Sequence, residues 1–390
     1  MKGRRLTAAA GALALLLAPM APAFADLVSQ ASATICSTNS TQISSDQDNR
    51  EVSASVVIGT TLYFGGKFDQ VVDVDGTVVT RNHLAACSIA TGHVLPWNPN
   101  LGAPSGPADV FAMVTDGNAI YVGGSFDTVG SVSVKGGLTA FPNNPQDPNP
   151  APLPGWGNGV GPGVTSSRSV KALALSPDHS VLYVGGTFSK AASQNRLGLA
   201  AFKISDGSLT SWAPSLVTES AATCPPDDPT CVAEPTKPVE VRGLVARADK
   251  VIAVGYFKLP GTTDASGHIA AFNTTNGDQV TPWDEKPQYP IISVWGTADS
   301  SRIYVGGAGQ GVSKNTLTAI DPVNGKKTWQ VYGDGNMQAV MGFGGVVYVG
   351  GHFHYIGPKD KVRAMDAAYN RETLAAFTDG QDKPLDWNPT

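Results

Sequence analysis

The sequence predicts an all-β protein, a β-propeller of six blades with four antiparallel strands in each. Three observations predict it: a six-fold internal repeat, short strand-type segments between turn residues, and a composition rich in Gly and Pro but poor in charge. A Tyr-x-Gly-Gly-x-Phe string occurs at residues 63–68, 121–126, 183–188 and 348–353. Degenerate copies lie at 253–257, which reads one residue short, and at 304–309, which lacks the Phe. The first Gly of each copy (65, 123, 185, 255, 306 and 350) recurs about every 57 residues, and four-stranded units at such a period are the mark of a propeller.

Each strand of the unit has its own signature. Strand A is an apolar run upstream of the Gly-Gly string, as at residues 110–114, 170–175, 239–244, 291–295 and 337–341. Strand B ends in the string itself. Strand C is a Leu-Ala-Ala-Phe segment or its like, at residues 84–87, 138–141, 199–202, 269–272, 317–320 and 374–377. Strand D carries one Trp: Trp97, Trp156, Trp212, Trp283, Trp329 and Trp387 account for six of the seven tryptophans. Runs of four to six residues rich in Val, Tyr and Phe, closed by Gly, Asn, Asp and Pro, suit strands and leave no competing helix period. Paired Gly at a strand end permits a bulge or a close backbone approach, after which the Phe can enter the gap between blades. The Ala pair of strand C keeps side chains small where sheets meet, and the aromatic residues read as interblade core.

The chain has 390 residues, 42% hydrophobic, with 44 Gly and 28 Pro but only 15% charged residues. That is enough apolar material for a sizeable core and too little charge for disorder. Lys and Arg number 27 against 32 Asp and Glu, and no basic cluster follows the first five residues, which argues against a nucleic-acid partner held through phosphates. Lys2, Arg4 and Arg5 precede an apolar run over residues 6–20 and the small-residue pattern Ala23-Phe24-Ala25. This reads as a signal peptide over residues 1–25, and the run is too short for a membrane span. Residues 26–50 then form an N-terminal extension and residues 51–390 the propeller domain, of a secreted, extracellular protein. Seven blades are the alternative, should residues 27–50 supply strands.

The combined string, Tyr-Val-Gly-Gly-x-Phe followed by Leu-Ala-Ala-Phe-x-x-x-x-Gly-x-x-x-x-Trp-x-Pro, resembles the delta-sixty type repeat of secreted bacterial β-propellers over residues 51–390. Its second half is also similar to the tryptophan docking motif of quinoprotein dehydrogenase propellers, closest at residues 318–329. Those enzymes have eight blades and a vicinal cysteine pair, whereas this chain has six units and no adjacent cysteines. The resemblance therefore implies a fold and a packing geometry, brings no catalytic residues and leaves the expected cofactor as none.

Four cysteines in an exported chain imply disulfides before metal or catalysis. Three pairings are open. Cys224 and Cys231 bracket a short Pro-stiffened loop and are expected to pair, which leaves Cys36 in the extension for Cys87, the residue at the Phe position of the first strand C. The spacing does not provide a zinc site.

The candidate chemistry is sparse. His352 and His354 lie at i, i+2 on one side of an extended segment without a visible third ligand, so no metal site is expected. Asp73-Val74-Asp75-Gly76 opens like a calcium loop but no acidic residue completes the cage. Asp69 and Asp127 follow two Gly-Gly-x-Phe strings and stand, with His352 and His354, at the edge of the variable B-to-C loops, including residues 69–82 and 354–373. These four are the candidate ligand-binding residues, because variable loops on a rigid ring are where binding resides. Pro-rich insertions at residues 142–163 and 215–238 fall on opposite faces. Nucleophile, metalloprotease and phosphate-loop motifs are absent. The expected function is a non-catalytic binding or scaffold propeller at the outer cell surface, with a cell-surface glycan or a protein as ligand; an extracellular hydrolase or lyase acting on glycans from the loop-rich face is the alternative.

Overall fold

In the computed structural model the described residues are 36–39, 51–103, 108–134, 136–156, 169–218, 238–261, 268–284, 287, 289–297, 299 and 301–387. They form an all-β protein of propeller type, built from antiparallel sheets that repeat one pattern. Strands A, B and C are Glu51–Ile58, Thr61–Lys67 and Leu84–Ser88 in sheet one, and Val110–Thr115, Ala119–Gly124 and Leu138–Pro142 in sheet two. In sheet three they are Val170–Leu175, Val181–Gly186 and Leu199–Lys203, and in sheet four Glu240–Ala246, Lys250–Tyr256 and Ile269–Asn273. Sheet five holds Ile291–Gly296, Ile303–Gly307 and Thr316–Ile320, plus a full strand D at Lys327–Gly333. Sheet six holds Met337–Phe343, Val346–Gly351 and Leu374–Thr378. Helix is confined to Lys359–Arg363 and Ala367–Tyr369 among the described residues. Both lie in the B-to-C connection of sheet six, and the corresponding connection of sheet one is a hairpin, Gln70–Val72 with Val78–Thr80.

The paired glycines are explained by what a side chain would meet. A Cβ on the first Gly strikes the next sheet: on Gly185 it would lie 2.6 Å from Val241 Cγ1. On the second it strikes the strand A backbone, as Gly186 would strike the Ser169 carbonyl. That close approach accompanies a bulge, and every strand A has one at this level: the register skips Ser53, Phe111, Lys171, Arg242, Ile292 and Gln338.

The fourth copy of the string is not one residue short. Val241 faces Gly255 as Val170 faces Gly186, and Val254 takes the place of the first Gly. The missing glycine stands across the ladder, where Gly243 faces Val254. A Cβ on Gly243 would come within 2.9 Å of Val254 Cγ2. Gly243 replaces the Ala or Ser of the other A strands and makes room for Val254 with the register unchanged, which a reading of strand B alone could not detect.

Apolar clusters join sheet one to two, two to three, three to four, four to five and five to six. The first three are built as the repeat predicts. Tyr of strand B meets the Trp of its own unit edge to face, at 4.9 Å for Tyr63 and Trp97, 5.2 Å for Tyr121 and Trp156, and 5.0 Å for Tyr183 and Trp212. The same Trp then meets the strand C Phe of the following sheet, at 5.7 Å for Trp97 and Phe141. These rings are fully buried, and each such aromatic removes some 150–250 Å² from water. Sheet six differs. Trp387 meets Tyr348 at 5.4 Å, but both are half-buried and Leu374 is 39% exposed where Leu84 and Leu199 are at 0%.

Sheet one carries Cys87 where the next Phe would stand, and Cys87 is bonded to Cys36. Cys36 leads into Ser37–Asn39, which pairs with Gln70–Val72. The disulfide, Phe64, Phe68 and Val71 form a separate cluster on that side of sheet one. The expected pair of Cys36 with Cys87 is thus present, while Cys224 and Cys231 lie outside the described residues. No helix among the described residues is long and apolar enough to cross a membrane.

Candidate functional site

The six A strands converge on a central cavity of about 590 Å³. Its lining includes Ala54, Met113, Leu173, Leu244, Val294 and Val340, one residue from each sheet. At one mouth two residues per sheet stand side by side, the one before the first apolar residue of strand A and the one after the Gly-Gly position. In sheets one and four the ladder pairs Glu51 with Lys67 and Glu240 with Tyr256. Elsewhere the second donates its amide to the first: Ser125 to Asp109, Thr187 to Ser169, Ala308 to Pro290 and His352 to Asn336.

The bulge explains how side chains reach this mouth, because an extra residue in one strand re-aims its side chain away from the sheet. Among the bulge residues, Ser53, Phe111 and Arg242 line the cavity. The repeat fixes the bulge but leaves the identity of its residue open. Sheets two, three and four use this freedom to build a connected network. Lys171 Nζ lies 4.4 Å from the centre of the Phe111 ring and 3.4 Å from Glu240 Oε1. Arg242 Nε donates to the same Glu240 oxygen at 3.0 Å, and its guanidinium lies 5.2 Å from the Tyr256 ring. One carboxylate therefore holds two cations, each of which also covers an aromatic face, an arrangement that fixes long side chains at small entropic cost.

Asp109 stands beside this network. Burial pushes its carboxyl above the usual range, with Lys67 and Lys171 pulling it down and Glu51 pushing it up. Its Oδ1 is buried without a hydrogen-bond donor among the described residues. Such an oxygen is costly unless something supplies a donor. The mouth thus combines two cations held by one carboxylate, two half-buried aromatic rings and, beside them, the Asp109 carboxylate with one buried oxygen.

Of the four residues expected from sequence, His352 is exposed at this mouth. His354 lies further along the loop with Nδ1 3.8 Å from Asp334 Oδ2, and its amide donates to Asp334 Oδ1. Asp127 and Asp69 are half-buried, and their backbones anchor loops: Asp127 donates to the Gly102 carbonyl and the Asp69 carbonyl accepts from Arg81. Glu51, Asp109, Lys171, Glu240 and Arg242 escaped the sequence reading. Their signal was their place in the repeat, one residue before or after the first apolar residue of strand A. No group of three or more His, Cys, Asp or Glu side chains that could hold a metal occurs among the described residues.

No family model matches the chain. No curated protein matches it either. Among solved structures it is similar to BamB from Moraxella catarrhalis, at 15% identity and a TM-score of 0.38, over 76% of this chain and 68% of that one.

Proposed function

We propose that the protein is a secreted, non-catalytic binding propeller, whose six sheets are the six blades of one ring over residues 51–390, and that it grips a protein ligand at the charged mouth of its central cavity. The observation that carries this reading is the convergence of the bulge residues. A bulge repeated in six strands sets one variable residue per sheet at the same level; Ser53, Phe111 and Arg242 line the cavity, and Lys171 packs on Phe111 and pairs with Glu240. Apolar walls below a rim of both charge signs suit a segment of a partner protein that inserts an apolar side chain and aligns its own charges on the rim. Export agrees with the Cys36–Cys87 disulfide.

The test is a peptide array of both charge signs, read by binding and by mass spectrometry of the peptides after incubation. Binding of intact peptides, weakened about tenfold or more in Lys171→Gln and Arg242→Gln, is the expected outcome. Binding indifferent to both substitutions would overturn the site, and cleaved peptides would overturn the non-catalytic reading.

A further inference from the structure

The seventh tryptophan, Trp295, lies outside the repeat and marks a second site. By register it occupies the place of Val56, Val114, Ala174, Val245 and Met341 in the other A strands. No other sheet has an aromatic residue there. On the neighbouring strand A, Gly342 stands where sheets one to four have Val57, Thr115, Leu175 and Ala246 and where sheet five also has a glycine, Gly296. The Trp295 ring occupies the space that this glycine leaves open, since a Cβ on Gly342 would lie 2.7 Å from Trp295 Cζ3. Unlike the contact of Gly243 with Val254, this one does not restore close packing. It leaves a cavity of about 410 Å³ between sheets five and six.

The cavity opens at the A-to-B turns, the opposite end of the strands from the charged mouth. Trp295, Tyr304 and Phe343 give it an aromatic wall. Trp295 and Tyr304 lie at 6.3 Å with a 26° tilt, and Phe343 is 37% exposed. The polar side is an opposed pair, Arg302 Nε 3.5 Å from Asp379 Oδ2, with side chains 39% and 32% exposed. Burial, and after it the Asp379 carboxylate, push the Tyr304 hydroxyl above its usual range. Behind the wall, Arg247 is 7% exposed, donates through Nη2 to the Arg302 carbonyl at 3.0 Å, and has an Nε without a partner among the described residues. Asp299 and Asp379 balance the two guanidiniums, so the site selects for no net charge.

An apolar aromatic wall facing a donor and an acceptor that sit side by side matches a ring with one C–H face and adjacent hydroxyl groups on its edge. The volume falls within the roughly 300–1,000 Å³ of small-molecule sites and is too confined for a protein segment. We propose that the cavity between sheets five and six binds a neutral pyranose sugar. The ring lies against Phe343 and Trp295, and neighbouring hydroxyls donate to Asp379 and accept from Arg302. This site does not depend on the reading of the central mouth.

The experiment is saturation-transfer NMR on the full chain with methyl glucoside, methyl galactoside, methyl mannoside and N-acetylglucosamine, with Trp fluorescence as a second readout. At least one sugar should bind saturably and shift the emission. Phe343→Ala, a change at an exposed side chain, and Arg302→Gln should each weaken binding about tenfold with the melting temperature unchanged, while Arg242→Gln at the central mouth should leave it intact. Absence of saturable transfer from all four sugars overturns the proposal, and so does undiminished binding in Phe343→Ala and Arg302→Gln. Loss of sugar binding in Arg242→Gln also overturns it, and places the sugar at the mouth instead.

Discussion

The Cys36–Cys87 disulfide takes the position that a strand C Phe holds in other sheets, so its removal tests how the first sheet is held. The bond spans 51 residues of sequence. Chain-entropy arithmetic for a loop of that size gives about 4 kcal/mol of stabilisation. With an unfolding entropy of roughly 2 cal/mol/K per residue over a domain of this length, the loss should lower Tm by about 6 °C. The double variant Cys36→Ala, Cys87→Ala isolates this bond from any other, where a reductant would not. Calorimetry without reductant should show the drop, and a dye for exposed apolar surface should report the uncovering of Leu62, Phe64 and Val71, which pack with the disulfide. A Tm within about 1 °C of the parent would refute the idea that the extension is clamped in the folded chain. Mass mapping that linked Cys36 to Cys224 or Cys231 would refute the pairing itself.

Trp212 is 2% exposed and its Nε1 donates to the Asn273 carbonyl of sheet four at 2.8 Å, so Trp212→Ala should cost about 3–5 kcal/mol in denaturant unfolding. Gly243→Ala should be destabilising by about 1–3 kcal/mol through overlap with Val254 and Val294, and adding Val254→Gly should recover part of it; strictly additive losses in the double variant would contradict the idea that Gly243 makes room for Val254. Asp178 is held down from 3.8 to about 2 by the hydroxyl and amide groups of Ser176 and Ser180, and Asp299 likewise by Thr297 and Ser301. Because these values are lowered on folding, the two A-to-B turns are supported fully above pH 3.8 and lose that support as pH falls through about 2. Carboxyl carbon shifts that titrate at the ordinary value would show that the turn bonds do not persist in solution.

The repeat made the strands and their aromatic contacts legible because each residue of the string has one packing role. Gly123 must clear Val170, Phe126 must fill the preceding gap, and Trp156 must meet Tyr121. Selection for one shape leaves the same letters in each copy. The mouth was illegible for the converse reason. At the bulge the backbone is fixed and the side chain is not, so Ser53, Phe111, Lys171, Arg242, Ile292 and Gln338 share a position and no chemistry. A search for motifs passes over such a column. Asp69 and Asp127 attracted notice because they recurred, yet the structure gives their backbones an anchoring role in the loops.

Departures from the repeat fall into two kinds, and the distinction separates folding from function. At sheet four Val254 and Gly243 change together and the ladder, register and buried core stay as elsewhere. Nothing is left over to explain. At sheet five Trp295 departs from its column, meets Gly342, and borders a cavity and an exposed Phe343. Interiors are close-packed with few voids larger than a water molecule, so a space of this size stands out. The end of sheet six is intermediate. Leu374 and Trp387 keep the letters of the repeat while losing its burial, and one side of sheet one is filled by the disulfide and the hairpin. The letters at that end are those of an interblade contact, whereas Trp295 borders a space of the size that a small ligand fills.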